Sequence, residues 1–185
     1  MTVSCAMIAW NETTTIGFSL KSIVGLVDEV VFVDTGSFDG TPKLAKTLMK
    51  KLGLKGRVIH KQVKTLGEAR AFAVKQCKCD WVFKQDSDLA ISSVLQRDMK
   101  TFMQVHPTKI GSIRSLNLLG DYKHYFEIQP FMAYHRVFFP RSFKWEKVNL
   151  DRPKFLQSGR RLPHWAVNLS RVRQAWRCYY RGEPF

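Results

Sequence analysis

The sequence is short of acid. Fifteen Asp and Glu stand against thirty Lys and Arg over 185 residues, a formal net charge of +15. The shortage deepens along the chain. The first hundred residues hold ten acids and fifteen bases, whereas the rest hold five acids (Asp121, Glu127, Glu146, Asp151 and Glu183) and again fifteen bases. Such a surface calls for an anionic partner: nucleic acid, acidic lipid or a phosphorylated substrate. Other features are missing too. No apolar run approaches the roughly 18 residues of a membrane-spanning helix. No basic leader precedes MTVSCAMIAWNE, and Asn11 and Glu12 cut its apolar stretch short. The chain therefore reads as free of a signal peptide and mature from Met1. Four cysteines are too few for a disulfide framework, and Cys77-Lys78-Cys79 lacks the two-residue spacer and second pair of a zinc knuckle. Reduced thiols and a cytoplasmic location are the expectation. There is no internal repeat and no low-complexity linker. With 45% hydrophobic and 24% charged residues the composition is globular, and the length suits one domain.

What is present is an alternation of strand and helix signals over residues 1–108. Val3–Ala9 and Glu29–Asp34 are short apolar runs fit for buried strands. Between them Ile16, Leu20, Ile23 and Val24 fall at helical spacing within 13–26. Thr41-Pro42 supplies a cap and a first-turn proline for a helix that Gly53 ends. A third strand is expected over 57–63, a third helix over 66–77, a fourth strand over 80–85 and a fourth helix over 92–105. This rhythm predicts a parallel sheet with right-handed crossovers. Residues 109–185 read differently: strands at 110–119 and 131–139, a loop over 140–163, and a basic amphipathic helix over 165–180. In that helix Trp165, Leu169, Val172, Trp176 and Tyr179 form an apolar stripe, with Arg171, Arg173, Arg177 and Arg181 mostly off it.

Three segments carry candidate chemistry, each where a strand ends. Asp86-Ser87-Asp88 follows an apolar strand, and side chains two apart on extended backbone point the same way. Both carboxylates can thus converge on one hard cation, whose shell water and phosphate oxygens would complete. Val33-Asp34-Thr35-Gly36-Ser37-Phe38-Asp39-Gly40-Thr41 is a glycine-bearing turn in which Gly36 and Gly40 permit close backbone approach, and Asp34 could accept from a base or ribose. Ile8-Ala9-Trp10-Asn11-Glu12 puts polar groups at the end of the first strand.

The order of these segments, with Gly67-Glu68-Ala69-Arg70 before the third helix, resembles the family 2 glycosyltransferases of the GT-A fold. The resemblance covers residues 3–89 closely. Arg136-Val137-Phe138-Phe139, Phe143-Lys144-Trp145 and Leu162-Pro163-His164 are similar to later segments of that family more loosely. It implies an α/β, Rossmann-like GT-A nucleotide-diphospho-sugar transferase fold with a mostly parallel central sheet flanked by helices. Residues 1–108 would be the donor half and 109–185 the acceptor-side half of one domain. By the same resemblance Asn11, Glu12, Asp34 and Gly36 line the nucleotide pocket, and Arg70 faces the nucleotide or its diphosphate. Asp86 sits at the ribose and diphosphate, Asp88 is the more direct ligand of Mn²⁺ or Mg²⁺, and His164 could reach the metal or phosphates. The chain departs from the family at Thr35, Ala71, Leu89 and Val148-Asn149-Leu150, where relatives often carry Asp, Asn, Glu and a His-Glu pair.

An inverting transferase needs a carboxylate to take the acceptor hydroxyl's proton, and Glu146 and Asp151 bracket the place where the family's acid falls. The expected reaction is sugar transfer from a UDP- or GDP-linked donor to a glycan, lipid-linked or protein acceptor. The basic tail is either a core helix or an interfacial one lying on anionic lipid. Two rivals stand beside this reading. A nucleic-acid-binding protein would use the charge and the 12% aromatic content, yet would leave the ordered acidic motifs unexplained. An inactive GT-A binding module would account for the acids missing at Leu89 and Asn149.

Overall fold

The computed structural model of the chain describes residues 1–118, 125–127, 137–142 and 160–168. Its first half is four β/α steps: β1 (Val3–Ala9), α1 (Ile16–Ser22), β2 (Glu29–Asp34), α2 (Thr41–Lys51), β3 (Gly56–His60), α3 (Leu66–Gln76), β4 (Trp81–Asp86), β5 (Leu89–Ile91) and α4 (Ser93–Val105). The described second half contributes β6 (Gly111–Leu118), β7 (Tyr125–Glu127), β8 (Val137–Pro140) and β9 (Arg160–Asn168). The sheet order is β3-β2-β1-β4-β8-β6-β9-β5, with β7 paired to β6. Strands β1 to β4 run parallel, β8 enters antiparallel to β4, and β9 lies parallel to β6 and antiparallel to β5.

Strands β1, β2 and β4 are mostly apolar because both faces are covered. Cys5, Met7, Val30, Phe32, Trp81 and Phe83 pack under α1, α2 and α4 with Ile16, Leu20, Met49, Leu95 and Met99. Ala6, Ile8, Val31, Val33 and Val82 face the other way, onto Ala69, Ala73 and Val74 of α3. Strand alternation thus feeds two cores on opposite sides of one sheet. Thr65 caps α3 by accepting from the Glu68 amide, and Ser92 caps α4 by accepting from Leu95. Helix α1 is shorter than its apolar spacing predicts. Its last turns loosen after Ser22, where the amides of Ile23 and Val24 reach only three residues back and Gly25 takes a φ of 78°.

The C-terminal reading needs correction. Residues 160–163, expected as loop, and 165–168, expected as the start of a helix, form β9 instead. Trp165, Ala166, Val167 and Asn168 pair with Arg114 to Asn117 of β6, and Ala166 to Asn168 also pair with β5. Ladders on both sides override a short stretch of helical spacing. Between Ser112↔Arg161 and Arg114↔Trp165 the register slips, so Leu162, Pro163 and His164 bulge out opposite one residue of β6. A proline, which cannot donate to a ladder, is tolerated at such a bulge. The stretch expected as helix from 169 onward lies outside the described residues. Among the described residues no helix is long and apolar enough to cross a membrane.

Candidate active site

Strand order fixes where a ligand can sit. From β1 the chain moves one way to β2 and β3, then returns to place β4 on the opposite side of β1. That reversal opens a crevice at the carboxyl ends of β1 and β4. Ala9 pairs with Asp34, and Ile8 with Asp86. The two carboxylates therefore flank β1 on either side, two inter-strand spacings or about 10 Å apart. All three segments singled out in the sequence converge at this end of the sheet.

The loops after β1 and β2 are stitched together. The Asn11 amide donates to Ser37 Oγ at 2.9 Å, and the Phe38 amide donates to Asn11 Oδ1 at 3.0 Å. Asn11 is buried and holds a φ of 55°, a left-handed turn that asparagine tolerates better than most residues. The Glu12 amide donates to Thr41 Oγ1 at 2.8 Å, while the Glu12 carboxylate accepts from the Thr15 hydroxyl. Asp39 accepts from the Thr13 amide and hydroxyl on one oxygen and from the Thr41 amide and hydroxyl on the other. Burial pushes the Asp39 carboxyl up, but these donors, Thr41 first, outweigh it and hold the group below the usual carboxylate range. Ser37, Asp39 and Thr41 thus emerge as the loop's framework, a role that spacing alone did not assign.

Asp34 is fully buried. Its carboxylate accepts from the Gly36 amide at 3.1 Å and the Ser37 amide at 3.2 Å, and His60 Nδ1 lies 2.9 Å away. The turn it grips needs left-handed backbone, with φ of 118° at Gly36 and 87° at Gly40. Asp34 is therefore first the anchor of its own loop. At the rim Trp10 and Phe38 meet edge to face at 6.3 Å, and both are mostly exposed.

The acidic turn is held from two sides. Arg70 on α3 reaches the Asp86 carboxylate at 3.3 Å to Oδ1 and 3.4 Å to Oδ2. From the other face Gln85 Nε2 donates to Ser19 Oγ at 2.8 Å and to the Leu89 carbonyl at 2.9 Å, closing the turn that leads into β5. Leu89 is buried in the core. Lys84 stands two residues before Asp86 on the same face of β4 and is 2% exposed. In the sequence its mark is a lysine ending the run Trp81-Val82-Phe83-Lys84.

The donor set suits a hard cation. Asp86 and Asp88 stand two residues apart across a tight turn, and among the described residues no group of three or more His, Cys, Asp or Glu converges. Two carboxylates fit an ion that completes its shell with water and phosphate oxygens. Leu89 pairs with Asn168, which places the backbone of His164 four residues back along β9, within the bulge. The acid candidates Glu146 and Asp151, and the segments 128–136 and 143–145, lie outside the described residues.

Known proteins match this arrangement. The model of the family described as "Glycosyl transferase family 2" matches residues 4–115, more than half of the chain. An uncharacterized glycosyltransferase of Rickettsia typhi is 31% identical over 104 residues, covering 56% of this chain and 34% of its own length. The lipopolysaccharide core biosynthesis glycosyltransferase LpsC of Rhizobium meliloti is 28% identical over 109 residues, covering 59% of the chain and 40% of LpsC. The chain thus spans a third to two fifths of the length of these relatives. Among solved structures, the Pyrobaculum calidifontis mannosyltransferase PcManGT in complex with GDP-Man and Mn²⁺ superposes with a TM-score of 0.67 at 17% identity, over 96% of this chain and 60% of that one. S. aureus TarS 1-349 in complex with UDP-GlcNAc gives 0.58 at 25% identity, over 71% and 38%. The fold is the α/β GT-A type expected from the sequence.

Proposed function

The chain belongs to glycosyltransferase family 2, and on that premise we propose that it moves a sugar from a UDP- or GDP-linked donor to an acceptor hydroxyl with the help of Mn²⁺ or Mg²⁺. The observation that carries this reading is the Asp86-Ser87-Asp88 turn at the switch point of the sheet, with Arg70 ion-paired to Asp86. In the proposal the Asn11–Glu12 and Asp34–Thr41 loops receive the nucleoside. Arg70, ion-paired to Asp86, also faces the diphosphate. Asp88 is the more direct metal ligand, and the ion when bound neutralises charge on the departing diphosphate. Arg70 fixes the diphosphate's position, so the anomeric carbon faces the acceptor side of the crevice.

For inversion, a carboxylate takes the proton of the attacking hydroxyl, and Glu146 and Asp151 are the proposed candidates. The name of the Rhizobium relative, a lipopolysaccharide core enzyme, favours a glycan or lipid-linked acceptor. Calorimetric titration of UDP and GDP, with and without Mn²⁺, on wild type and Asp88→Ala tests the donor site. Metal-dependent binding of one nucleotide that Asp88→Ala loses is the expected result. No binding of either, with tight salt-sensitive binding of DNA or RNA instead, would overturn the reading. Nucleotide binding without any donor turnover would identify an inactive binding module.

A further inference from the structure

The helices covering one face of the sheet carry an unbalanced charge. Helices α2, α1 and α4 lie side by side there, with Gly17 of α1 against Leu48 of α2 and Gln96 of α4 donating to the Ser22 carbonyl at the end of α1. Their residues include Lys21, Lys43, Lys46, Lys50, Lys51, Arg97 and Lys100, seven bases, against the single acid Asp98. All seven bases are exposed. A surface helix ordinarily intersperses Glu with Lys, because such pairs add stability and limit single-sign fields. Helices α1 and α2 contain no acid at all, and Lys43, Lys46 and Lys50 recur at helical spacing along the outer side of α2. Helix α3, on the opposite face, is not polarised in this way and carries Glu68 with Arg70 and Lys75.

The same surface exposes large apolar groups among the cations. Phe18 is 53% exposed one turn from Lys21, Val24 follows α1, and Val105 ends α4. Trp10 and Phe38, 57% and 83% exposed, stand at the edge where α2 begins and the candidate site opens. Cations in such excess over acids are what an anionic surface attracts, and exposed aromatic rings between them are what an interfacial layer accommodates.

We propose that the α2–α1–α4 face is a docking surface for an anionic lipid bilayer. The helices lie along the membrane, the lysines meet phosphate headgroups and Phe18 enters the interfacial layer. The crevice with its Trp10–Phe38 rim then opens at the membrane plane. This inference goes beyond the donor reading and does not depend on it, since the lysines and Phe18 that carry it are none of the nucleotide or metal residues.

The test is cosedimentation with vesicles of phosphatidylcholine containing phosphatidylglycerol, against phosphatidylcholine alone. Wild type should bind the anionic vesicles only, and added salt should weaken binding. The triple variant Lys43→Glu/Lys46→Glu/Lys50→Glu should lose at least about 100-fold in partitioning, since neutralising each lysine alone costs roughly fivefold. Phe18→Ser should lose less, and nucleotide binding by both variants should match wild type. If the triple reversal unfolds the protein, the same lysines changed to glutamine should reproduce the loss. Vesicle binding that survives these changes, or that instead follows Arg171→Glu/Arg173→Glu/Arg177→Glu in the C-terminal segment, overturns the proposal. So does failure of wild type to bind anionic vesicles, or loss of oligonucleotide binding in the lysine variant while vesicle binding persists.

Discussion

Replacing Asp34 with alanine tests whether the β2 loop is held from within. The carboxylate is fully buried and accepts from two amides, at 3.1 and 3.2 Å, with His60 Nδ1 2.9 Å away. A hydrogen bond to a charged group contributes about 1.5–3 kcal/mol when its loss leaves a buried partner unmatched. Here Gly36 and Ser37 are only partly buried and His60 is exposed, so water can reach the abandoned donors. Each contact is then worth about 1 kcal/mol, and Asp34→Ala should cost about 2–3 kcal/mol in urea unfolding. For a domain of this length that is a drop of roughly 5–10 °C in Tm. His60→Ala removes one exposed partner and should cost under about 1 kcal/mol. Nucleotide affinity should fall at least tenfold in Asp34→Ala, because Gly36 and Ser37 leave the geometry that Asn11 reads. A melting temperature within about 2 °C of wild type, equivalent to roughly 0.5 kcal/mol, would refute the idea that Asp34 anchors the loop.

Arg70→Ala should weaken a nucleoside diphosphate about tenfold or more while leaving the bare nucleoside nearly unaffected, which calorimetry with UDP and uridine resolves. Gly40→Ala meets no atom within 4 Å, so its cost is conformational only, about 1 kcal/mol for a left-handed φ of 87°, read from chemical denaturation. Stability should fall on acidification below about pH 4.5, the unfolded range of carboxylates. Burial pushes the Glu29 carboxyl up, but Ser4, the Lys78 amide and Arg57 hold it lower overall, and Asp39 is likewise depressed, so their contribution is present above that range and lost as pH falls through it. Burial, reinforced by Glu29, raises the Cys77 thiol to about 12 and burial also raises Cys5, so both should resist iodoacetamide at pH 8 until the protein unfolds, as mass spectrometry would report.

The first hundred residues were legible because two-sided burial writes apolar strands that little else can imitate. Val3–Ala9 and Glu29–Asp34 were bounded in the sequence as they are in the fold. Strand β5 was missed because three residues carry no period. Strand β9 was missed because Trp165, Leu169 and Val172 fit helical spacing, and only partners on either side, β6 and β5, make a strand of residues 165–168. The site was legible as a set of places rather than of jobs. Asp34, Asp86 and Arg70 lie where their motifs suggested, yet the ion pair between Arg70 and Asp86 joins residues 16 apart through a crossover that spacing does not encode. Asp34 was expected to accept from a base or ribose, and an Asp two residues before a glycine can also bond its own turn, as here.

Five hydrogen bonds tie the loop after β1 to the loop after β2, from Asn11, Glu12, Thr13 and Phe38 to Ser37, Thr41, Asp39 and Asn11. Preorganisation of this kind moves the entropy of ordering from ligand arrival to folding. Slow exchange at the Phe38 amide should therefore be a property of the ligand-free protein and change little when nucleotide is added. Selectivity between bases would then arise from the fixed outline of the crevice, and a substitution at Ser37 or Thr41 would blur that selectivity before it abolished binding.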